Sequence, residues 1–342
     1  MKVLIFNSVM SIAPLIDNHG RTLSYLRIAV TDRCNLRCFY CMPEQGIQYL
    51  PKKELLTFEE IERLVSVLAG AGISKVRITG GEPFVRTDLM DLMQQIVQVP
   101  GIRTLHLTTN GVLTGPHVPR LLAMGLASVN LSMDTLNRDR FRLITRRDEF
   151  NQVQDTYRLL LESGIPLKVN AVVMDGKNID DIPLLVELTR HHAVEVRFIE
   201  EMPFNGEGSH YVRLDWTYKK IQAHIESLFG SLERVPDPDS ATATRFRVPG
   251  FKGIIGIIAA FSRTFCGACN RLRITPRGEL KTCLYDDGVL NLRTLMRDGC
   301  TDEELLAQIR HAVSHRHANG VEAEQHRRNH ERVAESMSTI GG

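Results

Sequence analysis

Short runs rich in β-branched residues alternate with amphipathic segments from about Tyr25 to Glu200, and this alternation leaves the chain few architectures to adopt. Strand–helix–strand units joined by right-handed crossovers build a parallel sheet with helices on its faces. Six runs read as strands: Leu26 to Val30, Lys75 to Thr79, Thr104 to Thr108, Ser128 to Ser132, Leu167 to Val173 and Glu195 to Ile199. Between them lie helical patterns such as Phe58 to Ala69, where Ile61, Leu64, Val65 and Leu68 recur at one helical face, Thr57 and Glu60 are spaced as a capping box, and Gly70 and Gly72 stop the helix. Six such units can curl into an incomplete barrel or lie as an open doubly wound sheet. Periodicity does not separate the two, and both place their chemistry at the strand C-termini.

After Glu200 the pattern changes to a Gly-rich loop (Asn205 to Gly208), a helix from about Asp215 to Phe229 and a Pro/Asp-rich stretch, Val235 to Ser240. A boundary is expected there, dividing residues 1–240 from 241–342. The second part reads as shorter strands (Phe246 to Val248, Gly253 to Ala259, Arg271 to Thr275, Glu279 to Thr282) and a helix from about Asp302 to His315. The basic tail from Arg316 to Glu335, with His317, His326 and His330, reads as a solvated helix or flexible segment, and the histidines at 311, 315 and 317 as a polar face.

Lys plus Arg is 42 and Asp plus Glu is 40, so a net charge of +2 gives no reason to expect a polyanion bound across the whole surface. With a single Trp and no evident basic stripe, this weighs against a nucleic-acid-binding protein. The longest apolar run, Gly253 to Phe261, is far short of the ~20 residues that span a bilayer, so no membrane role is expected.

The seven cysteines fall as Cys34, Cys38 and Cys41, then Cys266, Cys269 and Cys283, then Cys300. At a cysteine frequency of about 0.02, C-x3-C-x2-C is expected by chance roughly 0.003 times in this length, so a metal or cluster site is the leading reading. Disulfides fit poorly, because the total is odd and the first twenty residues show no signal-peptide layout; a reducing cytoplasm is expected. Three thiolates on one loop after the first strand leave one position of a four-ligand site open, while a zinc loop completed by a remote Cys or His remains the structural alternative. Cys266-x2-Cys269-x13-Cys283 is weaker alone, since zinc completed by Cys300 or a histidine would also explain it. Arg271 and Arg273 share strand parity and would point to one face beside that second triplet. Together with Arg27, Lys75, Arg77 and Lys168 they are candidates to neutralise a phosphate-bearing ligand.

The triplet Cys34-x3-Cys38-x2-Cys41, with Tyr40 before its last cysteine, resembles the signature of the radical S-adenosylmethionine (SAM) enzymes. Gly80-Gly81-Glu82-Pro83 is similar to their glycine-rich segment, which holds the SAM amino group; glycines admit a close ligand approach, although such a pair can also merely end a strand. The segments Leu26 to Asn35, Thr108 to Gly111, Asn170 to Val172 and Arg197 to Glu200 resemble one branch, the GTP 3',8-cyclases of molybdenum cofactor biosynthesis, over about Leu15 to Gly342.

The resemblance implies an incomplete (β/α)6 TIM-like barrel with a smaller C-terminal α+β cluster-binding domain, two 4Fe-4S clusters and SAM. It assigns Cys34, Cys38 and Cys41 to the radical-generating cluster and Cys266, Cys269 and Cys283 to a second cluster that binds guanine, leaving Cys300 without a role. Tyr40, Gly81, Ser132 and Met202 match SAM positions; Arg27, Arg77, Thr108, Lys168 and Arg271-Leu272-Arg273 match GTP positions, with Arg271 and Arg273 also catalytic; Gly341-Gly342 would insert toward the site. It further implies a flavodoxin-type electron donor and a downstream cyclic pyranopterin monophosphate synthase, and it allows a homodimer. A radical SAM peptide-modifying enzyme and a zinc-stabilised nucleic-acid-binding protein are the rival readings. Three second-site cysteines with Arg271-Leu272-Arg273 favour the nucleotide over the peptide.

Overall fold

The computed structural model describes residues 13–206, 214–327 and 335–341, so Gly208, His330 and Gly342 lie outside the described residues. Its strands are β1 (Tyr25–Ala29), β2 (Lys75–Thr79), β3 (Thr104–Thr109), β4 (Ser128–Ser132), β5 (Leu167–Val173), β6 (Glu195–Glu200), β7 (Glu233–Val235), β8 (Ala243–Arg247), β9 (Ile254–Ile258), β10 (Arg271–Ile274), β11 (Glu279–Lys281) and β12 (Leu290–Asn291). They form one sheet in the order β12-β11-β10-β1-β2-β3-β4-β5-β6-β9-β8-β7. Strands β1 to β6 are parallel to their neighbours, and β10 and β9 extend the parallel run beyond β1 and β6; the outer strands turn antiparallel. The six expected strands agree to within a residue at each end. The very short β7 and β12 went unforeseen because two or three residues show no alternation.

Alternation divides each strand between two environments. Leu26, Ile28, Val76, Ile78, Leu105, Leu107, Val129, Leu131, Val169, Val196 and Phe198 face outward into the hydrophobic core beneath the helices. Helix α1 (Phe58–Gly70) contributes Ile61, Leu64, Val65 and Leu68 to that core, and the Thr57/Glu60 capping box starts it. The opposite parity, including Arg27, Arg77, Asn130, Lys168, Arg197, Arg271 and Arg273, lines a single cavity. Side chains from β1 through β6 and from β8, β9 and β10 converge on that cavity, as in a sheet curled into a partial barrel. The boundary expected near residue 240 falls in the connection between β7 and β8, which pair with each other. Among the described residues no helix is long and apolar enough to cross a membrane.

The topology corrects the expectation that all the chemistry sits at strand C-termini. Cys34 follows β1, but Cys269 precedes β10, and β10 runs parallel to β1 with Arg27 paired to Arg273. The two triplets therefore occupy opposite mouths of the barrel. Strand β11 returns antiparallel to β10, with Arg273 opposite Lys281, so the same register places Cys283 opposite Arg271. The long gap in C-x2-C-x13-C is one hairpin, out and back.

Candidate active site

At the C-terminal mouth, the Leu36 amide donates to Cys34 Sγ at 3.4 Å and Asn110 Nδ2 approaches the same sulfur at 3.6 Å. Such N–H groups aimed at sulfur suit a thiolate that holds a metal cluster. Without a metal, burial pushes the Cys34 thiol up to about 12 and Cys41 to about 11, so loading must displace protons. Tyr40 donates to Asp134 Oδ2 at 2.8 Å, and burial raises that carboxyl to about 6. Tyr40, Asp134, Ser132 and Met202 all line the cavity.

The glycine pair has a stricter role than ligand approach. The Gly81 amide already donates to Thr31 O, and Glu82 N to Arg33 O, both at 2.8 Å. A Cβ on Gly81 would sit 2.3 Å from Arg33 O, and one on Gly80 2.7 Å from Thr31 O. The room left by the missing side chains is filled by the backbone of the cysteine loop. Beside it, Glu82 is fully buried; burial raises its carboxyl to about 7 although Asn110 N, Phe84 N and Thr109 Oγ1 donate to it.

At the other mouth, Arg316 donates to Cys269 Sγ at 3.1 Å and Arg271 at 3.5 Å. Burial alone would raise the Cys269 thiol, but these two guanidiniums outweigh it and hold it at about 7. Cys283 is pushed up to about 11, chiefly by burial. None of the seven cysteines is disulfide-bonded. Cys300 packs half-buried at the core edge, away from both mouths.

The cavity between the mouths has a volume of ≈ 480 Å³. Of the residues expected at the GTP site, Arg27, Arg77, Thr108, Lys168, Arg271 and Arg273 line it, as does Lys75. Leu272 does not: strand parity turns its fully buried side chain into the core, away from any ligand. Arg77 is engaged by Tyr25 Oη and Leu107 O, both at 2.6 Å, which makes it a brace within the cavity wall. Burial and the neighbouring cations pull Arg27 down to about 9, and burial with Arg197 beside it pulls Lys168 down to about 8. Arg197, bonded to Glu195 Oε1 at 2.6 Å, as well as Arg245 and Arg263, joins the lining and was not foreseen as a ligand group. A charged residue at inward parity, in strands otherwise rich in Ile, Val and Phe, was the available signal. Arg316 carried none, because its partners lie far away in sequence.

The tail reaches the site through Gly341, which is buried at φ +77° with its Cβ direction 2.5 Å from Thr79 Oγ1 and its carbonyl accepting from Arg273 at 2.7 Å. Ser336 donates to Cys41 O at 2.6 Å, and Met337 lines the cavity.

The sequence pattern of the Radical SAM superfamily matches residues 28–189, and that of Molybdenum Cofactor Synthesis C matches residues 194–321. The GTP 3',8-cyclase of Moorella thermoacetica is 41% identical over 333 residues, covering 95% of this chain and 99% of that protein. Molybdenum cofactor biosynthesis protein 1 of Bos taurus is 44% identical over 306 residues; the match covers 87% of this chain but 47% of the bovine protein, so the chain spans about half its length. Among solved structures, the SuiB protein of Streptococcus suis bound to S-adenosylmethionine superposes with a TM-score of 0.57 at 16% identity, covering 85% of this chain and 69% of that one, a likeness of fold.

Proposed function

Because the chain belongs to the GTP 3',8-cyclase family of the radical SAM superfamily, we propose that it converts GTP to 3',8-cyclo-7,8-dihydroguanosine triphosphate, the first step of molybdenum cofactor biosynthesis. The observation that supports this most is one cavity lined by Cys266, Cys269 and Cys283 at one mouth and by Tyr40 of the first cysteine loop at the other, with a belt of cations between. Cys34, Cys38 and Cys41 would hold one 4Fe-4S cluster, and Cys266, Cys269 and Cys283 the other. When bound, the first cluster would supply the electron for reductive cleavage of S-adenosylmethionine, and with it the hydrogen-abstracting chemistry directed at the ribose C3' of GTP.

The protein's own work is orientation and enclosure. Arg27, Lys168, Arg197, Arg271 and Arg273 offset the triphosphate charge, and the guanidiniums among them can grip it in pairs of hydrogen bonds. Tyr40, Ser132 and Met202 border the space for the S-adenosylmethionine, and Gly341 with Met337 narrows the C-terminal mouth against water. An outside one-electron donor of flavodoxin type, a downstream cyclic pyranopterin monophosphate synthase and a cytoplasmic setting complete the reading.

Anaerobic reconstitution should yield about eight iron atoms per chain and GTP-dependent release of 5'-deoxyadenosine. Two zinc atoms and no iron would sink the proposal. The depressed Lys168 gives a second expectation. A bound polyanion favours the protonated ammonium, so GTP affinity should weaken as pH rises through about 8, and Lys168→Met should flatten that slope in a KM-against-pH series.

A further inference from the structure

His317, Glu322 and His326 form a compact donor group outside the cavity, on the turn and short helix α2 (Gly320–Gln325) that follow Arg316. One ligand atom from each lies within 4.8 Å of the others. The backbone beneath them is pinned: Arg21 donates to the carbonyls of His317 at 2.9 Å and Ala318 at 2.7 Å. Glu322 Oε2 accepts from the Ala318 amide at 2.7 Å, which leaves Oε1 turned toward His317 Nδ1 at 3.7 Å. That amide, with the imidazoles of His317 and His326, also holds the carboxyl below its ordinary range.

The tautomer of His326 follows from its partner. Its Nδ1 lies 2.8 Å from the carbonyl of Glu322, and a carbonyl only accepts, so this nitrogen carries the proton and Nε2 keeps its lone pair. An N–H bonded to a backbone carbonyl is the usual way a metal-binding imidazole is oriented. The rings of His317 and His326 are near-parallel, with centroids 5.0 Å apart, which leaves room for an ion at their edges. Metal–ligand bonds of about 2.1 Å set tetrahedral donors about 3.4 Å apart, so side-chain rotations of about 1 Å would close the group on an ion.

We propose that His317, Glu322 and His326 form a binding site for one divalent transition-metal ion, zinc by donor type, which clips the turn after Arg316 to the end of α2. Two imidazoles and one carboxylate select a borderline cation over magnesium or calcium and leave a fourth position for water. The site lies on the outer wall of the second cysteine mouth, where Glu322 shares a groove with Cys266 and Gly267. Gly320, at the start of α2, packs against Tyr285 and Arg263 of the cavity wall. Clipping α2 would therefore stiffen that wall.

The test uses protein with both clusters reconstituted, so that the six cysteines are occupied, titrated with Zn²⁺ and read by elemental analysis and zinc K-edge absorption. The expected result is one zinc per chain beyond the clusters, with a nitrogen and oxygen shell. His326→Ala and Glu322→Gln, at unchanged iron content, should each weaken zinc binding by a factor on the order of ten or more. A sulfur shell near ~2.3 Å, or zinc uptake equal in both variants and in His317→Gln, overturns the proposal.

Discussion

Gly81→Ala is expected to lower turnover by about a hundredfold or more and to deplete iron from the first cysteine loop, because a misplacement of about 1 Å at a reacting group costs on that order. The added methyl would lie 2.3 Å from Arg33 O, 2.6 Å from Arg33 C and 2.9 Å from Asp32 O, all backbone atoms that no rotamer change can move. Nor can the loop drift away freely, since Gly81 N–Thr31 O and Glu82 N–Arg33 O, both 2.8 Å, tie the two segments together. The loop one residue later begins the Cys34 triplet, so displacement is passed directly to the sulfurs. Gly267→Ala is the control: it lies between Cys266 and Cys269 of the second triplet, but nothing stands within 4 Å of its Cβ direction. It should keep iron and turnover. A Gly81→Ala protein with full iron and full activity would show that the close contact is not what positions the loop.

Arg316→Met should destabilise the protein by about 3–5 kcal/mol, the usual cost of removing one partner from a buried charged network. The side chain is 3% exposed and donates to Thr282 O and Cys269 O at 2.8 Å, to Asp17 Oδ2 and Cys269 Sγ at 3.1 Å, and to Arg271 O at 3.2 Å. Asp17 would retain Arg21 at 2.6 Å, but the three carbonyls would lose a donor and Cys269 a cation. A melting temperature lower by roughly 5 °C or more is expected, together with iron reduced to about half as Cys269 loses one of the cations that hold its thiol down. Arg316→Lys keeps the charge without the fan of donors and should fall between the two. Unchanged melting and unchanged iron in the Met variant would remove Arg316 from the second site.

How much of this was legible in the chain depends on the range of the interaction involved. The strands, α1 and its Thr57/Glu60 cap were readable because each is set by residues within a few positions of one another. The shared facing of Arg271 and Arg273 followed from strand parity, and the same parity excludes Leu272, which had been grouped with them. Arg197 carried a signal in its inward parity between the outward-facing Val196 and Phe198, but only the curled sheet shows that this face encloses a cavity. The compact group of His317, Glu322 and His326 was unreadable for a related reason: the turn at His317 and the six-residue helix Gly320–Gln325 fold them together where a solvated helix or flexible segment was expected.

The order of residues alone decides the chemistry of the donors: two sets of three thiols, an alternating strand pattern, and glycines where a backbone must pass close. It carries no information on where those donors stand relative to one another. That was decided by pairing at long range, with β10 parallel to β1 and β11 turning back along β10, which sets the triplets at opposite mouths with the cations between them. The physical reason is that hydrophobic period and turn chemistry act over a handful of residues, whereas sheet order is chosen by burial of whole faces, and only the closed fold brings Arg316 to Cys269 or Gly341 to Arg273.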